Sequence, residues 1–363
     1  MQRRRFIQSG LGTALVAAVE QSKLDAAASD LANAVAVGQV EAASLYFRQG
    51  SDVFARAFGK AKSPDDIFLL ASISKPMSVT ALMSLFDRGE FRLGDPVTKF
   101  IPEFTTGSRS KITIRQLLTH SSGLPDQLPE NEVLRKRHAP LSEFVQSAVQ
   151  TPLLFAPGSK YSYSSMGILL ATEVAYRITG IEFLAFMNEV LFEPLEMKNS
   201  ALGLGRFKLE ETMRCQITSA APESGGGDST AKEWDWNSHY WRSLGAPWGG
   251  VHGSATDVGK FFGEFLYPTG SLLNRETAQL MVRNHNPIGR TPRGLGFGVS
   301  KEVGSPGCSD KTFGHTGSTG TLAWADPPAD AICVVLTTLP AQAADPHPRK
   351  QVSDGIVRAI TLS

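Results

Sequence analysis

Ser72 and Lys75 stand three residues apart in the stretch LASISKPMSVTALMSLFDRGE, residues 70–90. On a helix that spacing puts both side chains on one face, where an amine could take the proton of a hydroxyl. A serine hydroxyl attacks a carbonyl only when a base removes its proton. A lysine serves as that base only when burial or a neighbouring cation lowers its pKa. The chemistry on offer is acyl transfer through a serine ester. The competing reading is an N-capping serine followed by a solvated lysine, and the pair alone does not separate the two.

The element that must hold the pair is legible. Ile73, Met77, Ala81, Leu82, Leu85 and Phe86 recur with a helical period, and Gly89 supplies the glycine expected just past a helix end. Pro76 is tolerated only in a first turn, where N–H groups lack partners within the helix, so the start is predicted near Ser72. A second Ser-x-x-Lys, Ser108 to Lys111, follows Thr105-Thr106-Gly107 and runs into Ile112-Thr113-Ile114. That copy reads as a turn entering a β-branched strand, with no helix to align its side chains, and is set aside.

At 363 residues and 42% hydrophobic content the chain can build a sizeable core. A net charge of +1 gives no basic field for nucleic acid. Cys215, Cys308 and Cys333 are too widely spaced for a disulfide framework or a zinc pattern and read as packing residues. The histidines include no His-Glu-x-x-His pair, so neither metal nor cofactor is expected. Arg3-Arg4-Arg5-Phe6-Ile7-Gln8 followed by the apolar run 11–19 resembles a twin-arginine export signal, although the usual lysine is Gln8. Residues 1–21 are assigned to it, giving an expected periplasmic or extracellular location, or a cytoplasmic one if the signal reading fails. No run approaches the ~20 apolar residues an integral membrane helix needs.

An amphipathic helix is predicted over 22–37 and a hairpin from 41–48 and 53–58 around Gly50-Ser51-Asp52. Residues 115–118 open a short helix, and helical patterns cover 141–149, 165–179 and 181–192. Residues 221–253 hold three consecutive glycines and Trp234, Trp236, Trp241 and Trp248; they read as a long surface loop whose tryptophans either line a pocket or pack on the body. Strand signals return at 296–303, 311–315, 320–325 and 331–338, before a closing helix at 351–360. Strands early and late with helices between predict an α+β (α/β sandwich) fold. One antiparallel sheet comes from both chain ends, in a domain of residues 22–95 and 241–363, with residues 96–240 as a mostly helical inserted domain.

If Ser72 attacks a carbonyl, other groups must share its proton and hold the oxyanion. PGSKYSYSS at 157–165 places tyrosines after a Pro-Gly turn and before a helix, and FGHTGSTG at 313–320 places a histidine among glycines beside late strands. With these motifs the chain resembles the serine β-lactamase-like superfamily, the branch of class C β-lactamases, D-alanyl-D-alanine carboxypeptidases and related serine esterases. The similarity runs in order through SISK, LLTHSSGLPD at 117–126, PGSKYSYSS, FEPLEMKNS at 192–200, WGGVHGSATDVGKF at 248–261 and HTG at 315–317.

The resemblance implies Ser72 as nucleophile, Lys75 as base or relay, and Tyr163 sharing the proton and passing it to the leaving group; Tyr161 competes for that role. His315, where other members carry lysine, would orient the tyrosine or a substrate carboxylate. The backbone N–H groups of Ser72 and Ser318 would form the oxyanion hole. Ser165, Thr316, Gly317 and Trp248 would bind substrate, while His120 and Asp126 are assigned to structure. Position 165 is serine where the family motif has asparagine, which argues against strong β-lactam hydrolysis. The expected activity is hydrolysis of a small-molecule ester, D-amino-acid amide or peptide. The alternative is a penicillin-recognising sensor that acylates without turnover. The α/β-hydrolase reading is rejected because no Gly-x-Ser-x-Gly occurs.

Overall fold

The structure, a computed structural model, describes residues 6–361, with side chains from 21 to 360. Arg3-Arg4-Arg5 of the export reading lie outside the described residues. Helix α1 spans Phe6–Ala36 and leads into a hairpin of β1 (Ala42–Gln49) and β2 (Asp52–Gly59). The late strands are β6 (Gly298–Val299), β7 (Phe313–Gly317), β8 (Thr321–Asp326) and β9 (Ala331–Thr337), followed by helix α11 (Pro348–Thr361). They join the hairpin in one antiparallel sheet ordered β2-β1-β9-β8-β7-β6, so the two chain ends meet where β1 pairs with β9. The run at 296–303 is strand only over β6, with a 3₁₀ turn at Lys301–Val303.

Period-two alternation explains why this sheet is covered on both faces. Along β9, Ile332, Val334 and Leu336 join a core shared with Phe261, Phe262 and Phe265 of helix α9 (Ala255–Leu266). Ala331, Cys333 and Val335 pack instead with Leu31 of α1 and with Val352 and Ile356 of α11. Every residue of β9 is buried as a result. Cys215, Cys308 and Cys333 are buried free thiols, the packing role expected of them.

Helix α2 (Ser74–Asp87) begins two residues later than predicted, and Ser72 lies in the 3₁₀ turn Ala71–Ile73 that leads into it. Pro76 falls in the first turn as its missing N–H requires. Helix α2 is buried on nearly all sides and packs against helix α6 (Ser165–Thr179), whose N-cap Ser164 accepts a bond from Gly167 N–H and whose end is set by Gly180 at φ 70°. Around them lie α3 (Ile114–Leu118), α4 (Asn131–Lys136), α5 (Leu141–Gln150), α7 (Phe183–Met187), continued by a π turn at Asn188–Phe192, and α8 (His239–Ser243). Helix α10 (Arg275–Met281) follows α9. A small sheet not anticipated from the sequence, β3 (Phe68–Leu69), β5 (Val251–Gly253) and β4 (Ala201–Leu202), ties the entrance of α2 to the residues after Trp248.

Three local expectations are corrected. Residues 112–114 form no strand: Thr113 is the N-cap of α3 and closes a reciprocal capping box with Gln116, so the β-branched run is spent on a helix start. Ser108–Lys111 belongs to a 3₁₀ helix, Gly107–Lys111, rather than an extended turn. The segment 221–253 is a surface loop only in part, and Trp236, Trp241 and Trp248 line a pocket. Trp234, Trp236, Trp241 and Trp248 are all at most 5% exposed, and short 3₁₀ turns and α8 carry them into the body.

Candidate active site

The turn bearing Ser72 is pinned from two sides. Leu70 N–H donates to the Val251 carbonyl at 2.9 Å, Ser74 Oγ accepts from Val251 N–H at 3.0 Å, and Ser78 Oγ donates to the Pro247 carbonyl at 2.7 Å. From the β7–β8 turn, the Thr319 and Thr321 hydroxyls donate to the Leu69 and Leu70 carbonyls at 2.7 and 2.8 Å. Ala71, between these clamps, sits at φ 48°, a left-handed conformation that costs an alanine roughly 1–2 kcal/mol. The surrounding hydrogen bonds, each worth about 1 kcal/mol, offset it. The strain is spent directly before the serine.

Gly317 lets the two segments meet. A Cβ there would lie 2.2 Å from Thr321 Oγ1, 2.4 Å from the Leu70 carbonyl oxygen and 3.1 Å from Ala71 Cβ. Ser318, next in the chain, accepts from Ala341 N–H at 2.9 Å, while Arg349 Nη1 donates to the Gly317 carbonyl at 2.6 Å. Among the described residues, the N–H groups of Ser72 and Ser318 donate to no protein acceptor, and both residues border the same cavities. Two unspent donors flank the serine, the requirement for holding an oxyanion.

Lys75 is wholly buried, and Nζ lies 3.0 Å from Ser72 Oγ and 2.8 Å from the Trp248 carbonyl oxygen. Burial lowers its pKa to about 7, with Asp126 opposing that shift and Arg293 adding to it. An amine that titrates near pH 7 is about half neutral there, and in that form it can donate one N–H to Trp248 and accept the Ser72 proton. Tyr163 is brought to the same place: Ser72 acts on its phenol, and Lys75 Nζ lies 4.8 Å from its ring centroid. Burial raises the phenol, Arg293 pulling it back in part, so it stays protonated. Tyr161 stands apart, half-buried with its ring nearly perpendicular to that of His120 at 6.2 Å between centroids.

His315 is placed beside Tyr163, with ring centroids 6.0 Å apart, and makes no hydrogen bond to it. Arg293 Nη2 donates to His315 Nε2 at 2.7 Å, which fixes the neutral tautomer with Nδ1–H donating to the Thr316 carbonyl at 2.7 Å. Burial first, then the Arg293 and Lys75 charges, hold His315 well below the usual histidine range. It stays uncharged and steadies Arg293, whose guanidinium carbon lies 5.5 Å from the Tyr163 ring centroid.

Ser72, Tyr163 and Ser318 separate two lobes. One, of about 170 Å³, is lined by Trp236, Trp241, Trp248, Asp126, Ser165 and Arg135; the other, of about 380 Å³, by Arg293, His315, Thr316, Gly317 and Arg349. A larger groove between α5 and α6 lies away from this chemistry. Ser165 is buried, and both its N–H and its hydroxyl donate to one Asp126 carboxylate oxygen. Asp126 is therefore more than a turn residue, since its carboxylate lines the lobe and acts on Lys75. His120 accepts the Ser164 N–H at its Nδ1 at 3.2 Å, and its ring lies 4.7 Å from that of Tyr163.

Sequence reasoning missed Arg293 and Arg135. Neither belongs to a spaced motif, and only the fold brings position 293 to 315 or 135 to 241.

This fold and site define a class, the serine hydrolases of the β-lactamase and penicillin-binding type. The chain belongs to the Beta-lactamase family, whose model matches residues 27–354. It is 29% identical over 310 residues to esterase EstB of Burkholderia gladioli, covering 77% of each chain. Among solved structures it is similar in fold to EstCE1, described as a hydrolase with promiscuous acyltransferase activity, at TM-score 0.76 and 21% identity over 94% of this chain and 100% of that one. It is similar also to the D-amino acid amidase of Ochrobactrum anthropi SV3, at TM-score 0.75 and 23% identity over 93% and 99%.

Proposed function

We propose that the protein hydrolyses small esters or D-amino-acid amides through an acyl-enzyme on Ser72. The observation that carries this reading is the contact between the hydroxyl of the partly buried Ser72 and a wholly buried amine whose pKa is lowered to about 7. Lys75 Nζ takes the proton as Ser72 Oγ attacks the carbonyl carbon, and the oxyanion settles between the N–H groups of Ser72 and Ser318. The proton then reaches the leaving oxygen or nitrogen through the Tyr163 phenol, and the acyl bond to the leaving group breaks. Water attacks the serine ester by the reverse route, freeing the acid and restoring Ser72.

The similarity to EstB and to a D-amino acid amidase supports ester and amide substrates. β-Lactams are poor substrates in this account, because the Ser165 hydroxyl is committed to Asp126 and position 165 offers no side-chain amide to a substrate. Steady release of p-nitrophenol from p-nitrophenyl butyrate, abolished in Ser72→Ala, is the expected result. A burst of one equivalent without turnover would favour an acylating sensor instead, and undiminished activity in the variant would place the nucleophile elsewhere.

A further inference from the structure

Two buried donors that no protein group satisfies belong to residues that wall the tryptophan-lined lobe beside Ser72. Arg135, on α4, is 2% exposed; its Nη1 and Nη2 donate to the Glu223 and Trp234 carbonyls, while its Nε–H has no acceptor. The guanidinium carbon lies 3.9 Å from the centroid of the Trp241 ring, and the buried Trp241 Nε1–H likewise has no acceptor. Both side chains line the same lobe.

Among the described residues no carboxylate forms an ion pair with Arg135. Glu223 is exposed, and the Asp126 carboxylate is bound by Ser165. Burial lowers the guanidinium to about 10, which leaves it charged at neutral pH. Asp235 and Glu223 act on the guanidinium without pairing with it, and a buried cation with an idle N–H, beside a second idle donor, is costly unless a ligand completes it.

We infer that this lobe recognises a carboxylate carried on the acyl half of the substrate, so that the preferred substrates are monoesters or monoamides of short dicarboxylic acids. The inference rests on Ser72 being the acyl acceptor. The lobe's ~170 Å³ is close to the ~150 Å³ that encloses a benzene molecule, room for a short chain ending in a carboxylate. A planar carboxylate suits a guanidinium and an indole N–H together, and with a single charge it meets less repulsion from Asp126 than a dianionic group would.

The test is kcat/KM for monoethyl glutarate against ethyl pentanoate, followed by acid release. The wild-type chain is expected to favour the glutarate ester by at least about tenfold, Arg135→Gln to cut that ratio about tenfold, and Trp241→Phe to cut it about threefold. A wild-type ratio at or below one, or a ratio unchanged in Arg135→Gln, overturns the inference. A measurement independent of turnover guards against a variant that does not fold. Glutarate is expected to raise the Tm of both the wild type and Ser72→Ala above that in sodium chloride of equal ionic strength, and no rise in either overturns the site. If neither ester is hydrolysed, the serine-hydrolase reading fails while the Tm shift still decides the carboxylate site.

Discussion

Lys75 Nζ lies 3.0 Å from Ser72 Oγ, and the amine is wholly buried while Ser72 is only partly so and borders both cavities. Nucleophile and base are thereby split across one boundary, one facing substrate and the other kept from water. Replacing Lys75 by alanine should lower kcat about a thousandfold while KM moves less than about threefold. Steady-state kinetics check this, and an unchanged kcat would contradict a base role for Lys75.

The pH profile follows from the same burial. Neutral Lys75 is the active form, so kcat/KM should rise with pH through about 7 and then level off, because Tyr163 is raised and stays protonated. Asp126 holds the Lys75 pKa up. In Asp126→Asn, which keeps an acceptor for Ser165, the acid limb should therefore move to lower pH. A limb that stays put or moves upward would remove Asp126 from the electrostatics of the site.

Stability carries the opposite mark of that amine. Between about 7 and the ordinary 10.5 the unfolded chain binds a proton that folded Lys75 has shed, so this residue makes stability rise with pH across that window. Lys75→Met removes the penalty of burying the amine. Its gain in Tm over wild type should be largest at or below pH 7 and shrink towards 10.5, as thermal melts across pH would record. A gain independent of pH would mean the amine is not driven toward neutrality.

Gly317→Ala should cost at least about 2 kcal/mol and most of the activity, since its Cβ would strike Thr321 Oγ1 and the Leu70 carbonyl and force β7 off the serine turn. Melting temperature and kcat should fall together. A stable variant of unaltered kcat would show that this close approach is dispensable.

The parts of the site legible in the sequence were those written in local spacing. Ser72, Lys75 and Pro76 share one turn, and α6 runs over the predicted 165–179 because Ser164 caps it and Gly180 ends it. The hairpin and the late strands likewise follow from alternation and turn residues. At residues 112–114 the β-branched pattern outweighed the Thr-x-x-Gln capping signal that governs there. Asp126, Arg293 and Arg135 escaped for another reason. Their roles depend on partners at 165, 315 and 241, supplied by different elements, and no periodicity encodes a meeting of that kind.

The account stands on Ser72 becoming an ester. Acid-quenching the enzyme during turnover of p-nitrophenyl butyrate and reading peptide masses tests this most directly. The account predicts the butyryl increment on the peptide containing Ser72, absent in Ser72→Ala. Butyryl on any other residue, with Ser72 unmodified, would contradict it.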